Sequence, residues 1–87
     1  MLVIKKNGNF QNFETNKMKL SMMGASDDID EPLNESDLKI LSDKVMKIIN
    51  INYSEKISSA DIHKIVVDVL NENGFSNVAK AYEEGSK

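Results

Sequence analysis

Val3-Ile4-Lys5-Lys6-Asn7-Gly8-Asn9-Phe10-Gln11-Asn12-Phe13-Glu14-Thr15-Asn16-Lys17-Met18 is the stretch around which the chain is organised. Val3 and Ile4 are β-formers, Asn7-Gly8 is the strongest two-residue hairpin signal, and Phe10 to Phe13 return as a second strand. Glu14-Thr15-Asn16 then supplies capping side chains and first-turn acidity for a helix through Lys17, Met18 and Leu20. Lys5 and Lys6 precede the turn and Lys17 lies just inside the helix. Neighbouring strand residues point to opposite faces, so only one of Lys5 and Lys6 is expected to share a face with Val3. A hairpin beside a helix start gathers ammonium groups near backbone N–H donors, which is the composition of an anion site.

The 87 residues carry a net charge of −3, unevenly spread. Residues 1–20 hold four lysines against Glu14 alone, and the remainder is acidic. A basic first fifth on an acidic body argues against general nucleic-acid binding, which needs a broad basic face. It suits a small, focused site for a phosphorylated ligand. The plainer alternative is that Lys5 and Lys6 are solvated strand residues. The length allows one domain with a modest core, residues 1–87. No apolar run approaches the roughly 18 residues of a membrane span, no signal-peptide pattern opens the chain, and the expected location is cytoplasmic. With no cysteine, a disulfide framework and a thiolate metal site are both excluded.

Beyond the opening stretch, four helices are expected. The first runs from about Thr15 to Gly24, with Met18, Leu20, Met22, Met23 and Ala25 on its apolar side. So many methionines suit an adaptable peptide-binding surface as well as core filling, and core filling is the simpler reading. Ser26 to Glu35 reads as an acidic, solvated loop ended by Pro32. Its Asp-x-Asp spacing does not make a calcium loop, because no starting position supplies both the Gly at six and the Glu at twelve.

The second helix spans about Glu35 to Asn50, capped by Asn34 or Ser36, with the stripe Leu38, Leu41, Val45, Ile48 and Ile49. Lys39, Lys44 and Lys47 fall off that stripe, and the mixed charge of its polar face argues against a membrane-surface role. Ser54 to Ile57 is a short extended piece able to add a third strand to the hairpin, which alone is marginal. Ser58 or Ser59 caps a third helix with the stripe Ile62, Ile65, Val66, Val69 and Leu70, closed by Asn73-Gly74. Ser76 or Asn77 opens a last helix through Val78, Ala81 and Tyr82, fraying into Gly85-Ser86-Lys87. The fold class is therefore α+β, mostly α: a four-helix bundle capped by a small two- or three-stranded sheet that includes the N-terminal hairpin.

An enzyme is not indicated. There is one histidine, no cysteine, and no G-x-S-x-G, Walker or G-x-G-x-x-G pattern. Ser59 lies four before His63, so the two side chains can meet, but a Ser–His pair without a third orienting group is thin and Ser59 reads better as a helix cap. His63 by itself reads as a partly exposed helix residue.

Three elements carry a family resemblance. Val3, Lys5, Lys6, Asn7, Gly8, Phe13, Glu14 and Lys17 follow, without a gap, the pattern Val-x-Lys-Arg/Lys-Asp/Asn-Gly, four residues, an apolar residue, Asp/Asn/Glu, two residues, Lys. Lys56-Ile57-Ser58-Ser59-Ala60-Asp61-Ile62-His63 follows a strand and then Ser/Thr-x-x-Ile-x at a helix start, with His after the Ile. Val78-Ala79-Lys80-Ala81-Tyr82 follows Val-Ala-x-Ala-Tyr. In this order they resemble the ATP-cone domain, the nucleotide-sensing module of many ribonucleotide reductases and of the transcriptional repressor of their genes.

The resemblance implies a non-enzymatic regulatory domain that binds ATP or dATP and modulates a partner or its own oligomerisation. The partner it implies is a second copy, a ribonucleotide reductase or a transcription factor. By position, Lys5, Lys6 and Lys17 would meet phosphates. Val3, Phe13, Met18 and Ile62 would line an adenine pocket, with Glu14, Ser59 and His63 near the ribose or phosphates. Magnesium would accompany the nucleotide, with no protein ligand assigned.

The chain also departs from the pattern. It has no zinc ribbon, which the repressor relatives carry. Glu83-Glu84-Gly85-Ser86-Lys87 replaces a basic, aromatic extension of the last helix, leaving Lys80 and Lys87 there to meet phosphates. Gln11 stands where some relatives have an acid. No catalytic or DNA-binding domain follows within these residues, so the expectation is a free-standing module acting on a partner, or a relative reduced to a small helical interaction module that has lost nucleotide binding. DNA recognition by the helix from Ser59 is a third reading, opposed by the acidic body.

Overall fold

The computed structural model describes residues 1–85 and runs β1 (Leu2–Ile4), β2 (Phe10–Asn12), α1 (Thr15–Asp28), α2 (Glu35–Asn52), β3 (Lys56–Ser58), α3 (Ser59–Glu72) and α4 (Ser76–Gly85). It is α+β and mostly α, with a three-stranded sheet in the order β2-β1-β3. β1 pairs antiparallel with β2 and parallel with β3, with Val3 opposite both Gln11 and Ile57. Alternation along the strands buries Val3 and Ile57 with the helices and leaves Leu2 and Phe10 exposed on the other face. There the Lys56 ammonium lies 5.6 Å from the centre of the Phe10 ring.

The hairpin is not the two-residue turn that Asn7-Gly8 predicts. The Gly8 N–H donates to the Lys5 carbonyl at 2.9 Å and the Lys5 N–H to the Asn9 carbonyl at 2.8 Å. The loop is thus Lys6-Asn7-Gly8, with Gly8 alone left-handed at φ +85°. This is a β-turn followed by a left-handed glycine, the common three-residue hairpin. Lys6 consequently leaves the strand, and the alternation rule no longer separates it from Lys5.

α1 extends four residues past Gly24. Its buried positions, Met18, Met22, Ala25 and Ser26, hold helical spacing straight through the glycine, so packing overrides the local weakness that Gly introduces. The helix ends instead at Asp30, left-handed at φ +56°. The Asp30 N–H donates to the Asp27 carbonyl at 3.1 Å and the Glu31 N–H to the Ser26 carbonyl at 3.0 Å, the paired bonds of a Schellman stop. The acidic loop is correspondingly shorter than predicted and not wholly solvated. The buried Ser26 hydroxyl donates to the Met23 carbonyl at 2.8 Å and accepts the N–H of buried Leu33 at 3.3 Å. Leu20 and Met23, expected on the apolar side of α1, are exposed.

At the start of α2 the Asn34 side chain accepts the Asp37 N–H at 2.7 Å and the Asp37 carboxylate accepts the Asn34 N–H at 3.4 Å, a reciprocal capping box that decides between Asn34 and Ser36. α2 runs two residues past Asn50, which delays β3 to Lys56–Ser58. Its stripe is buried as expected at Leu38, Leu41, Val45 and Ile49, with Ile48 half-buried. Gly74, at φ +86°, closes α3 with a second Schellman pair to Asn71 and Leu70. α4 includes Gly85, while the expected fraying of Ser86 and Lys87 lies outside the described residues.

Leu70 is fully buried and Leu20 is 64% exposed, and the contrast is measurable. Leu70→Ala is expected to lower unfolding free energy by about 2–5 kcal/mol and Leu20→Ala by less than about 0.5 kcal/mol, read by urea denaturation.

Candidate functional site

The hairpin, the start of α1, the start of α3 and the end of α4 enclose an open cleft of about 580 Å³. Small-molecule sites generally measure about 300–1,000 Å³. All ten residues singled out from the sequence line it: Val3, Lys5 and Lys6 from β1 and its turn; Phe13, Glu14, Lys17 and Met18 from the entry to α1; and Ser59, Ile62 and His63 from α3. Val3 and Met18 are buried, while Phe13 and Ile62 are half-buried, so the cleft has an apolar floor. Lys5, Lys6 and Lys17 are exposed at its rim. Lys5 and Lys6 both reach the cleft beside Val3, against the expectation that only one would, because the longer hairpin loop carries Lys6 out of the strand.

Two helix starts border the cleft, and the first departs from its predicted capping. Glu14 occupies the N-cap position of α1, but its side chain makes no cap hydrogen bond. Its carboxylate instead holds the Lys17 ammonium at 2.8 Å, an exposed i,i+3 pair. Such pairs contribute little to stability, so the bond is readily exchanged for another anion. At α3 the cap is Ser58, whose hydroxyl accepts the Asp61 N–H at 3.0 Å. This decides between Ser58 and Ser59, the two caps expected, and Ser59 instead lines the cleft with Ala60. An adjoining hollow of about 480 Å³ is shared by Lys5, Lys6, Asn7, Asn9, Gln11 and Ser59. Here two lysines lie beside the first turn of α3, where amide donors and the positive end of the helix dipole favour anions. Among the described residues, neither Lys5 nor Lys6 forms an ion pair.

Tyr82 and Glu83, from the end of α4, complete the wall. The Tyr82 and His63 rings stack with centroids 5.0 Å apart and planes 23° from parallel. His63 is thus paired with an aromatic ring from another helix rather than with Ser59. Burial pushes the Tyr82 phenol above its ordinary value, because the phenolate would lose hydration there. Lys80 points elsewhere: it lines a separate hollow with Ile29, Glu31, Asn77, Ala81 and Glu84, so it does not serve the cleft as expected.

Over residues 1–84 the chain matches the family model of the ATP cone domain. The chain belongs to the ATP-cone family. This ATP cone is accordingly a nucleotide-binding regulatory module, and its cleft is the candidate nucleotide site. No curated protein matches the chain. None of its described helices is long and apolar enough to cross a membrane.

Sequence reasoning missed Gln11, Asn12, Ser21, Ala60, Tyr82 and Glu83 as cleft residues. Ser21 was legible in principle, since 14, 17, 18 and 21 share one helical face. Tyr82 and Glu83 were not, because only the packing of α4 on α1 and α3 brings them there.

Because folding raises the Tyr82 pKa, the folded state keeps a proton that the unfolded state releases above about pH 10. The stability this provides is fully present below that pH and is lost as pH rises through the folded value. Tyr82→Phe is expected to reduce the fall in Tm between about pH 9 and about pH 11, measured by circular dichroism.

Proposed function

We propose that this ATP cone is a non-enzymatic sensor of adenine nucleotide that binds ATP or dATP in the cleft and converts occupancy into altered affinity for a partner or for a second copy of itself. The observation that carries the reading is the gathering of Lys5, Lys6 and Lys17, with the first turn of α3, around a floor of Val3, Phe13, Met18 and Ile62. Phosphates fit the cationic rim and a flat apolar base fits the floor. Gln11 and Asn12 also line the cleft and carry side-chain amides suited to the polar atoms of the base. His63, Glu14 and Ser59 are the groups offered to the ribose or the inner phosphates. A site that bonds the 2′-hydroxyl penalises the ligand lacking it, so these residues set any preference between ATP and dATP.

Among the described residues no three of His, Cys, Asp and Glu gather to hold a metal ion, so magnesium would arrive on the phosphates. The regulated partner belongs to nucleotide metabolism or its transcriptional control in this reading, a ribonucleotide reductase or a transcription factor in the cytoplasm. Occupancy acts on such a partner only through different affinities of the two states.

Lys5→Ala combined with Lys17→Ala is expected to weaken ATP binding at least about tenfold, since charge-assisted hydrogen bonds are worth about 1.5–3 kcal/mol each and about 1.4 kcal/mol is a factor of ten. Thermal unfolding should barely change, both side chains being exposed. Calorimetric titration with ATP, dATP and GTP reads it; affinity equal to that of the unaltered chain removes the proposed site. Retained fold with no binding of any nucleotide by the unaltered chain would favour a module that works through protein contacts alone.

A further inference from the structure

The charge balance of the cleft goes further, and it rests on the nucleotide reading above. Five formally charged side chains line the cleft among the described residues: Lys5, Lys6, Lys17, Glu14 and Glu83. Lys17 is already held by Glu14 at 2.8 Å. Lys5 and Lys6 are left without an acidic partner among the described residues, and they line a cleft that Glu83 also lines. Glu83 is exposed on the last turns of α4, next to Tyr82, and among the described residues it makes no ion pair.

A nucleoside triphosphate carries about two negative charges on its terminal phosphate and about one on each of the other two. That is about twice what Lys5 and Lys6 can neutralise, and Glu83 adds a further repulsion from the opposite wall of the cleft. Bound magnesium removes two of those charges and so lessens the repulsion that Glu83 exerts on the ligand.

We propose that Glu83 makes the cleft a selector of polyphosphate charge, admitting the magnesium complex of a nucleoside triphosphate and disfavouring the metal-free anion. A carboxylate at this point acts by charge and not by coordination: no donor set for a protein-held metal exists among the described residues. The proposal differs from a general preference for magnesium in assigning the preference to one side chain.

Calorimetric titration with ATP at fixed ionic strength, in magnesium and in EDTA, tests it on the unaltered chain and on Glu83→Gln and Glu83→Lys. The unaltered chain is expected to bind the magnesium complex at least about tenfold tighter than metal-free ATP. Glu83→Gln should narrow that ratio about threefold and Glu83→Lys about tenfold, mainly through tighter binding of the metal-free form. Circular dichroism should show both variants folded. An identical ratio in all three proteins overturns the proposal while leaving the nucleotide site standing. No ATP binding by the unaltered chain in magnesium overturns the nucleotide site itself, and this inference with it.

Discussion

Val3 lies opposite Ile57 in a parallel pair, and the arrangement of the cleft follows from that pairing. The bond from the Leu2 N–H to the Glu55 carbonyl, at 2.9 Å, begins it. The strand partners lie more than fifty positions apart, with α1 and α2 between them. β3 passes directly into α3, so pairing β3 with β1 also fixes where the first turn of α3 begins. It begins beside the hairpin turn that carries Lys5 and Lys6. Each strand is three residues long and could not persist alone. The burial of Val3 and Ile57 against the helices is what makes the pairing stable.

Capping and site-building are divided between neighbouring residues. Ser58 satisfies the start of α3, which leaves the Ser59 hydroxyl and the nearby amides to the cleft. At α1 the division runs the other way. Glu14 leaves the helix start without a side-chain cap and spends its charge on Lys17. Loss of a cap costs about 1 kcal/mol, and an exposed ion pair returns less than that. The helix is held instead by burial of Met18, Met22, Ala25 and Ser26. Local propensity is sacrificed at both Glu14 and Gly24, and burial carries the helix through each.

Much of the fold was legible because helical stripes and punctuating residues are local signals. The stripes of α2 and α3 needed only spacing, and Asn73-Gly74 marked a stop that the left-handed Gly74 fulfils. Asn7-Gly8 marked the hairpin but misjudged its turn, since one glycine can serve either a two-residue loop or a three-residue loop. Gly24 misled about the end of α1, because a glycine says the helix can stop, not that the core allows it to. The ten residues marked by motif all line one cleft, yet the sequence left the cap of α3 open between Ser58 and Ser59 and offered Ser59 to His63. The Tyr82 ring occupies the place at His63, and nothing local announces a contact between residues nineteen positions apart.

By itself the sequence determined the inventory: four amphipathic helices, a β-forming N-terminus with a glycine turn, and a basic segment on an acidic chain. These are set by side-chain chemistry and by periods of two and 3.6 residues, which a linear string displays. Only the tertiary structure decided which charges share a space. The longer turn put Lys6 with Lys5, the parallel strand brought α3 to them, and α4 placed Tyr82 and Glu83 opposite. Whether lysines make a site or a solvated surface depends on distances through space, and those are fixed by burial of the core rather than by neighbours in the chain.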